Sequence, residues 1–220
     1  MKKPYLILQY PYEHIEIALC SQGRVDISIQ ESKLTAVQLT IPHIDNLLIQ
    51  KNISIKDLAF IAVNTGPGPY NTLRALITTV NGIHFVQKTP LINNCALNLL
   101  LSERTEYPCL AILNAFAQHV FYAFNIPETK EHGYCSIEQL IDKINRQTKP
   151  LVLLGNGALL YQKQLLQHAK HKIIFHEQTP LFNSLETLAQ QSYLDYQAKK
   201  FSPSYLMPKY LQSPSVPKKI

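Results

Sequence analysis

Two glycines alternate with two prolines at Gly66-Pro67-Gly68-Pro69, between an apolar run ending at Val63 and a helix-patterned run beginning at Asn71. A strand, tight turn and helix in that order aim unpaired backbone N–H groups and the positive end of a helix dipole at one spot, where phosphate binds. The details do not suit a phosphate. A Gly-Lys-Ser/Thr ending is missing, Asn71 stands where a dinucleotide fingerprint needs glycine, and Pro67 and Pro69 each remove a donor. A rigid turn is the better reading. Other reactive side chains are equally incomplete. His168 and His171 lack the carboxylate that would finish a zinc pattern, and Cys109 with His119 would make a nucleophile and base without an orienting acid. The turn Gly155-Asn156-Gly157 follows an apolar strand, where a strand-to-helix turn needs glycine in any case.

Composition narrows the function further. Cys20, Cys95, Cys109 and Cys135 are scattered with no CxxC pair, against both a zinc site and a disulfide framework. No apolar run reaches the roughly 20 residues of a membrane helix, and Met1-Lys2-Lys3-Pro4 leads into a short strand, so a cytoplasmic location is expected. The net charge of +6 is dispersed, apart from pairs such as Lys199-Lys200 and Lys218-Lys219, and serves solubility at least as well as RNA binding.

The elements that must position these residues follow from periodicity. Strands are expected at Tyr5–Leu8, Ile15–Leu19 and Arg24–Ile29, then a helix over Val37–Lys51. Ser54 and Asp57 form a capping box, Ala59–Val63 a buried strand, and Asn71–Val86 a long amphipathic helix. A strand at Pro90–Ile92 and a helix over Ala96–Arg104 complete a first unit, 1–104. A second, 105–220, starts after Thr105-Glu106-Tyr107-Pro108. It holds a helix capped by Ser136 with Gln139, a strand at Leu151–Leu154, helical Leu159–Ala169, a strand at Lys172–Phe175, and a last helix capped by Asn183 with Glu186. The proline-rich tail is expected on the surface.

The second unit opens as the first does. Setting Leu6-Ile7-Leu8-Gln9 on Ala111-Ile112-Leu113-Asn114 brings His14 onto His119, Ile15 onto Val120 and Ala18 onto Ala123 without a gap.

The loop and its helix resemble the GPGSFTGLR signature of the TsaB (YeaZ) family. Gly66, Pro67, Gly68, Leu73 and Arg74 match, Tyr70 replaces Phe, and Pro69, Asn71 and Thr72 depart from it. Pro203-Ser204-Tyr205-Leu206 resembles the Pro-x-Tyr-Leu stretch near the C-terminus of such proteins. The resemblance implies an α/β fold of the actin/Hsp70/sugar-kinase class. That means two tandem actin-like (ribonuclease H-like) subdomains, each a mixed sheet with an antiparallel meander, in keeping with the duplication. It implies a catalytically silent subunit that binds TsaD, with TsaE in a ternary complex, for threonylcarbamoyl transfer to adenosine 37 of tRNAs reading ANN codons. The tRNA would be met indirectly, and a homodimer would form in isolation.

Active members of that class carry an Asp at the end of the first strand of each hairpin, to hold magnesium for phosphoryl transfer. Here those positions are Gln9 and Asn114, whose neutral amides are weak magnesium ligands. They would line a vestigial cleft with Gly155 and Gly157. No cofactor, no metal and no catalytic residue are therefore expected. A small ATP-using phosphotransferase or ATPase is the alternative, and a peptidase a more distant one. The resembled family pairs through helices of the first unit, which here carry more apolar positions than one face needs. Ile41, Ile44 and Leu48 on the first helix, with Leu73, Ile77, Val80 and His84 on the second, are the expected partner face, so Ile44→Glu or Ile77→Glu should abolish pairing in a folded chain.

Overall fold

β1 (Tyr5–Gln9) is buried along its whole length, as a continuous apolar run covered on both faces must be. β2 (His14–Ser21) returns antiparallel to it, and β3 (Arg24–Ser32) follows after a turn at Gln22 and Gly23, both at positive φ. Exposed and half-buried residues alternate along β3, the period-two pattern of an edge strand. Next come α1 (Ala36–Gln50), a 3-10 turn (Ile55–Asp57) closed by the Ser54 and Asp57 capping box, and β4 (Ile61–Asn64). α2 (Tyr70–Gln87), β5 (Leu91–Asn94) and α3 (Ala96–Ser102) end this half. The chain is described from a computed structural model covering residues 3–33, 35–104, 108–126, 131–170, 172–175 and 178–211.

The second half repeats the plan with β6 (Cys109–Asn114), β7 (His119–Asn125), β8 (His132–Ser136), α4 (Ile137–Asn145), β9 (Leu151–Leu154), α5 (Asn156–Leu160), α6 (Gln162–His168) and β10 (Ile173–Ile174). The five-stranded sheets run β3-β2-β1-β4-β5 and β8-β7-β6-β9-β10, so the repeated residues mark a repeated topology. The hairpins differ in register. Gln9 pairs with Glu16, whereas Asn114 pairs with Val120, one residue closer, and Phe116, Ala117 and Gln118 make that tighter turn with φ of 64°, 47° and 61°.

The last helix, α7 (Leu185–Gln197), crosses back and buries Leu188 and Ala189 against Tyr5, Ile7 and Phe60 of the first sheet. α3 does the converse, packing Ala96, Leu97 and Leu100 with Ala111 and Leu113 of β6. Each sheet is thus closed by a helix from the far half of the sequence.

Four expectations need correction. β8 was not foreseen, because His-Gly-Tyr-Cys-Ser carries no apolar alternation. The helical stretch after β9 is two helices, broken at Tyr161. The cap of α7 is Ser184, whose Oγ accepts from the Thr187 amide at 3.1 Å, and Asn183 is turned inward instead. The tail does not simply run over the surface: Leu206 is 1% exposed in the first core, and Asn81 bonds both its N–H and its carbonyl. Among the described residues no helix is long and apolar enough to cross a membrane.

Candidate functional site

The carboxyl ends of the parallel strands carry amides: Gln9 on β1, Asn64 on β4, Asn94 on β5 and Asn114 on β6. Strand ends of this kind are where ligands of open α/β folds bind, and Asn64 lines the void between the two sheets, whereas Asn94 donates to Ser192 of α7 at 3.0 Å. Gln9 is fully buried. Its Nε2 donates to Glu16 at 2.5 Å and to the Asn183 carbonyl at 3.2 Å, and its Oε1 accepts from Asn183 Nδ2 at 2.6 Å. Asn64 Nδ2 reaches Asn183 Oδ1 at 3.2 Å, while Asn64 Oδ1 holds the Gly66 amide at 3.0 Å. The amides therefore satisfy one another and the loop.

Across the cleft, Asn114 is tied by its backbone and side chain. Its N–H donates to Asn156, its Oδ1 accepts from the Phe116 amide at 2.9 Å, and its carbonyl accepts from the Tyr12 hydroxyl at 2.7 Å. Tyr12 stacks on Phe182 at 5.3 Å, and its hydroxyl pKa is raised because burial disfavours the phenolate. Between these rings and the Gly66–Gly68 loop a void of only about 20 Å³ is left, with the unpartnered Tyr10 hydroxyl beside it. That is room for about one water molecule. A nucleotide with magnesium does not fit residues of this kind.

Gly155 and Gly157 have a packing explanation. At Gly155, φ is +102° and a Cβ would lie 2.1 Å from the Ile112 carbonyl oxygen, and a Cβ at Gly157 would meet Ile112 at 2.9 Å. Their lack of side chains lets α5 approach β6. The Gly66 to Pro69 loop is similarly pinned. Gly66, at φ +97°, accepts from the Ala96 amide, the neighbouring Thr65 carbonyl accepts from Lys209, and Pro67 is buried. Arg74 stands exposed, with Nη1 2.9 Å from the Tyr70 hydroxyl.

A family model described as "TsaD: tRNA N6-adenosine threonylcarbamoyltransferase" matches residues 34–212. The chain belongs to this TsaD/TsaB (YeaZ) family. It is 21% identical over 182 residues to the tRNA threonylcarbamoyladenosine biosynthesis protein TsaB of Buchnera aphidicola subsp. Schizaphis graminum, a match covering 77% of this chain and 87% of that protein. Among solved structures, YeaZ from Pseudomonas aeruginosa superposes with a TM-score of 0.68 at 19% identity, over 93% of this chain and 100% of that one. A protein similar to peptidase YeaZ, from the same organism, reaches 0.74 at 18% identity, over 96% and 100%. A Bacteroides thetaiotaomicron protein with an actin-like ATPase fold reaches 0.50 at 8% identity, over 87% and 96%. The actin-like fold expected from the family resemblance is the observed one.

Within that family fold, most of the expected partner face turns inward. Ile44, Leu48, Leu73, Ile77 and Val80 are buried in the first core, and His84 is half-buried with Nδ1 2.8 Å from the Thr89 carbonyl. Of the seven residues only Ile41 stands out, 63% exposed. The apolar width that periodicity detected is consumed by the sheet beneath α1 and α2. What remains outside on these helices includes Val37, Ile41, Ile49, Phe85 and Val86, of which Ile41 and Val86 line a groove between the helices with Ile83 and the open Gly82.

The nucleophile pair is excluded by register. Cys109 pairs with Asn125 at one end of the β6–β7 hairpin, and His119 sits beside the turn at the other. Among the described residues no three His, Cys, Asp or Glu side chains group as a metal site. Sequence reasoning missed Tyr12, Phe182 and Asn183, which fill the cleft. An amide at the end of each expected strand was the available signal for Asn64 and Asn94; nothing local marked the other three.

Proposed function

We propose that this chain is a non-catalytic TsaB-type subunit of tRNA threonylcarbamoyladenosine biosynthesis. It binds TsaD and holds it in the arrangement that transfers threonylcarbamoyl to adenosine 37 of tRNA, with TsaE as a third component. The observation that carries the reading is the plugged cleft: amides replace the carboxylates that phosphoryl transfer needs, and Tyr12 and Phe182 occupy the space between the sheets. The same feature weighs against the ATP-using alternative. The first half, closed by α7, is the proposed docking unit, and the rest of the chain is the second actin-like unit.

The docking surface we assign is the outer side of α1 and α2. Val37, Ile41 and Val86 are at least half exposed there, and a Cβ added at Gly82 would meet nothing within 4 Å. An exposed mid-helix glycine costs about 1 kcal/mol against alanine, which a close-packed partner helix would offset. Exposed apolar side chains around one groove suit a protein partner, and a second copy of this chain would compete for it. The test is co-expression with the TsaD of the same cell and size-exclusion chromatography. A stable pair, lost in Ile41→Glu, is the expected result, and separate elution of the wild-type proteins would refute the assignment.

A further inference from the structure

We propose that a second cleft, outside the plugged one, takes an unstacked base of single-stranded RNA. It is a cavity of about 450 Å³ between the start of α2, the β6–β7 turn and the tail. One wall is aromatic and doubled: Tyr70 and Tyr210 stack at 5.1 Å, and each is about half exposed. The facing wall is Phe116, 58% exposed, with Phe121 behind it. Exposed rings facing a slot are what a base stacks on, and such stacking tolerates any sequence.

Two further observations point the same way. Phe116 is the first of three consecutive side-chain-bearing residues at positive φ, a backbone state L-residues adopt rarely and that clusters at ligand sites. The turn is held by Ala115 N–H to the His119 carbonyl and His119 N–H to the Phe116 carbonyl, and the ring of Phe116 is left outside the core. The charge is also suited to phosphate. Arg74 lies over the Tyr70 ring at 4.9 Å with no carboxylate partner among the described residues, and no acidic residue lines the cavity; Lys209 lines it too, its ammonium held 3.4 Å from the Cys95 sulfur. A flat apolar patch for protein docking would need neither a slot nor cations.

The proposal is independent of the pairing with TsaD, because it is read on the isolated chain. The probe is a short fluorescein-labelled single-stranded oligoribonucleotide of mixed sequence, followed by anisotropy. Phe116→Ala and Tyr210→Ala should each weaken binding about tenfold, while Tyr210→Phe keeps it. Arg74→Gln should reduce the slope of log K against log salt by about 0.7, as one phosphate contact on a single strand does. Both rings are exposed, so circular dichroism should be unchanged. The site is overturned if the wild type does not bind the probe, if the alanine variants bind it equally well, or if adenosine monophosphate displaces it at the oligonucleotide's own concentration. Loss of self-association or of TsaD pairing in the alanine variants, with probe binding intact, would make this a protein interface instead.

Discussion

Asn183 and Gln9, 174 residues apart, bond side chain to side chain at 2.6 Å, and the Gln9 amide turns back to the Asn183 carbonyl at 3.2 Å. This pair closes the cleft where an active relative would need a carboxylate. Gln9→Glu should therefore not create ATP turnover. It would place two carboxylates 2.5 Å apart, at the Glu16 contact, and remove the donor to Asn183. A loss of about 2 kcal/mol or more is expected, because a buried group loses its partner and meets a like charge. Urea melts should show the loss to be larger at pH 7 than at pH 5, where one of the two carboxylates can hold a proton.

Leu206 joins the tail to the first core by packing and by two bonds from Asn81, at 2.8 and 2.9 Å. Leu206→Ala should cost about 2–4 kcal/mol, the range for a buried leucine, and Asn81→Ala about 1–2 kcal/mol. Because both act on the same contact, their effects should fall short of adding, which a double-mutant cycle measures. Full additivity would mean that the tail is not fastened here.

Exposure separates two substitutions that the helical pattern alone would treat alike. Ile77 is 3% exposed and Ile41 63% exposed. Ile77→Glu buries an unpaired charge and should leave little folded protein, a cost of several kcal/mol. Ile41→Glu should leave the melting temperature within a degree or two and abolish pairing with TsaD. Near-ultraviolet dichroism and size-exclusion chromatography together decide this.

The end of β3 is tied to the start of α1 through Glu31, which accepts from the Thr35 hydroxyl at 2.5 Å, from the Ser32 amide at 2.8 Å and from His43 at 2.9 Å. These donors lower its pKa from 4.5 to about 2, the Thr35 bond most. A carboxylate with a lowered folded pKa adds stability above its unfolded value and loses it as pH falls toward the folded one. Wild-type melting temperature should fall as pH drops from about 4.5 to 2. Glu31→Gln should flatten that part of the profile, and an unchanged acid limb would show that the contact is not kept in solution.

Much of the fold was legible in the sequence because its signals are local. Apolar runs bounded by turn residues located most of the strands, Ser54 with Asp57 and Ser136 with Gln139 marked helix starts, and the gapless repeat anticipated two sheets of one topology. The edge strand β8 escaped, since a short strand with one partner needs no apolar alternation. The candidate site was legible only in part. Gln9 and Asn114 were found through the family resemblance, which implies an acidic residue at the end of each hairpin's first strand, whereas Asn183 was read as a helix cap, which a residue of that type before an apolar run usually is.

Composition and periodicity by themselves determined most of the strands and helices and pointed to a duplicated plan, while the family resemblance marked the amides Gln9 and Asn114 as cleft positions. Those properties reside in the covalent order and in side-chain period. Only the tertiary structure decided which face of each helix is spare, because burial depends on the sheet beneath it, and Ile44 and Ile41 differ there by their angle alone. It also decided that Tyr12 and Phe182 fill the cleft, that α3 and α7 close each other's sheets, and that Tyr70, Tyr210 and Phe116 meet around one slot. Tyr12 with Phe182 and Tyr70 with Tyr210 are each more than a hundred positions apart, and no local pattern encodes a contact whose partner is chosen by the folding of the whole chain.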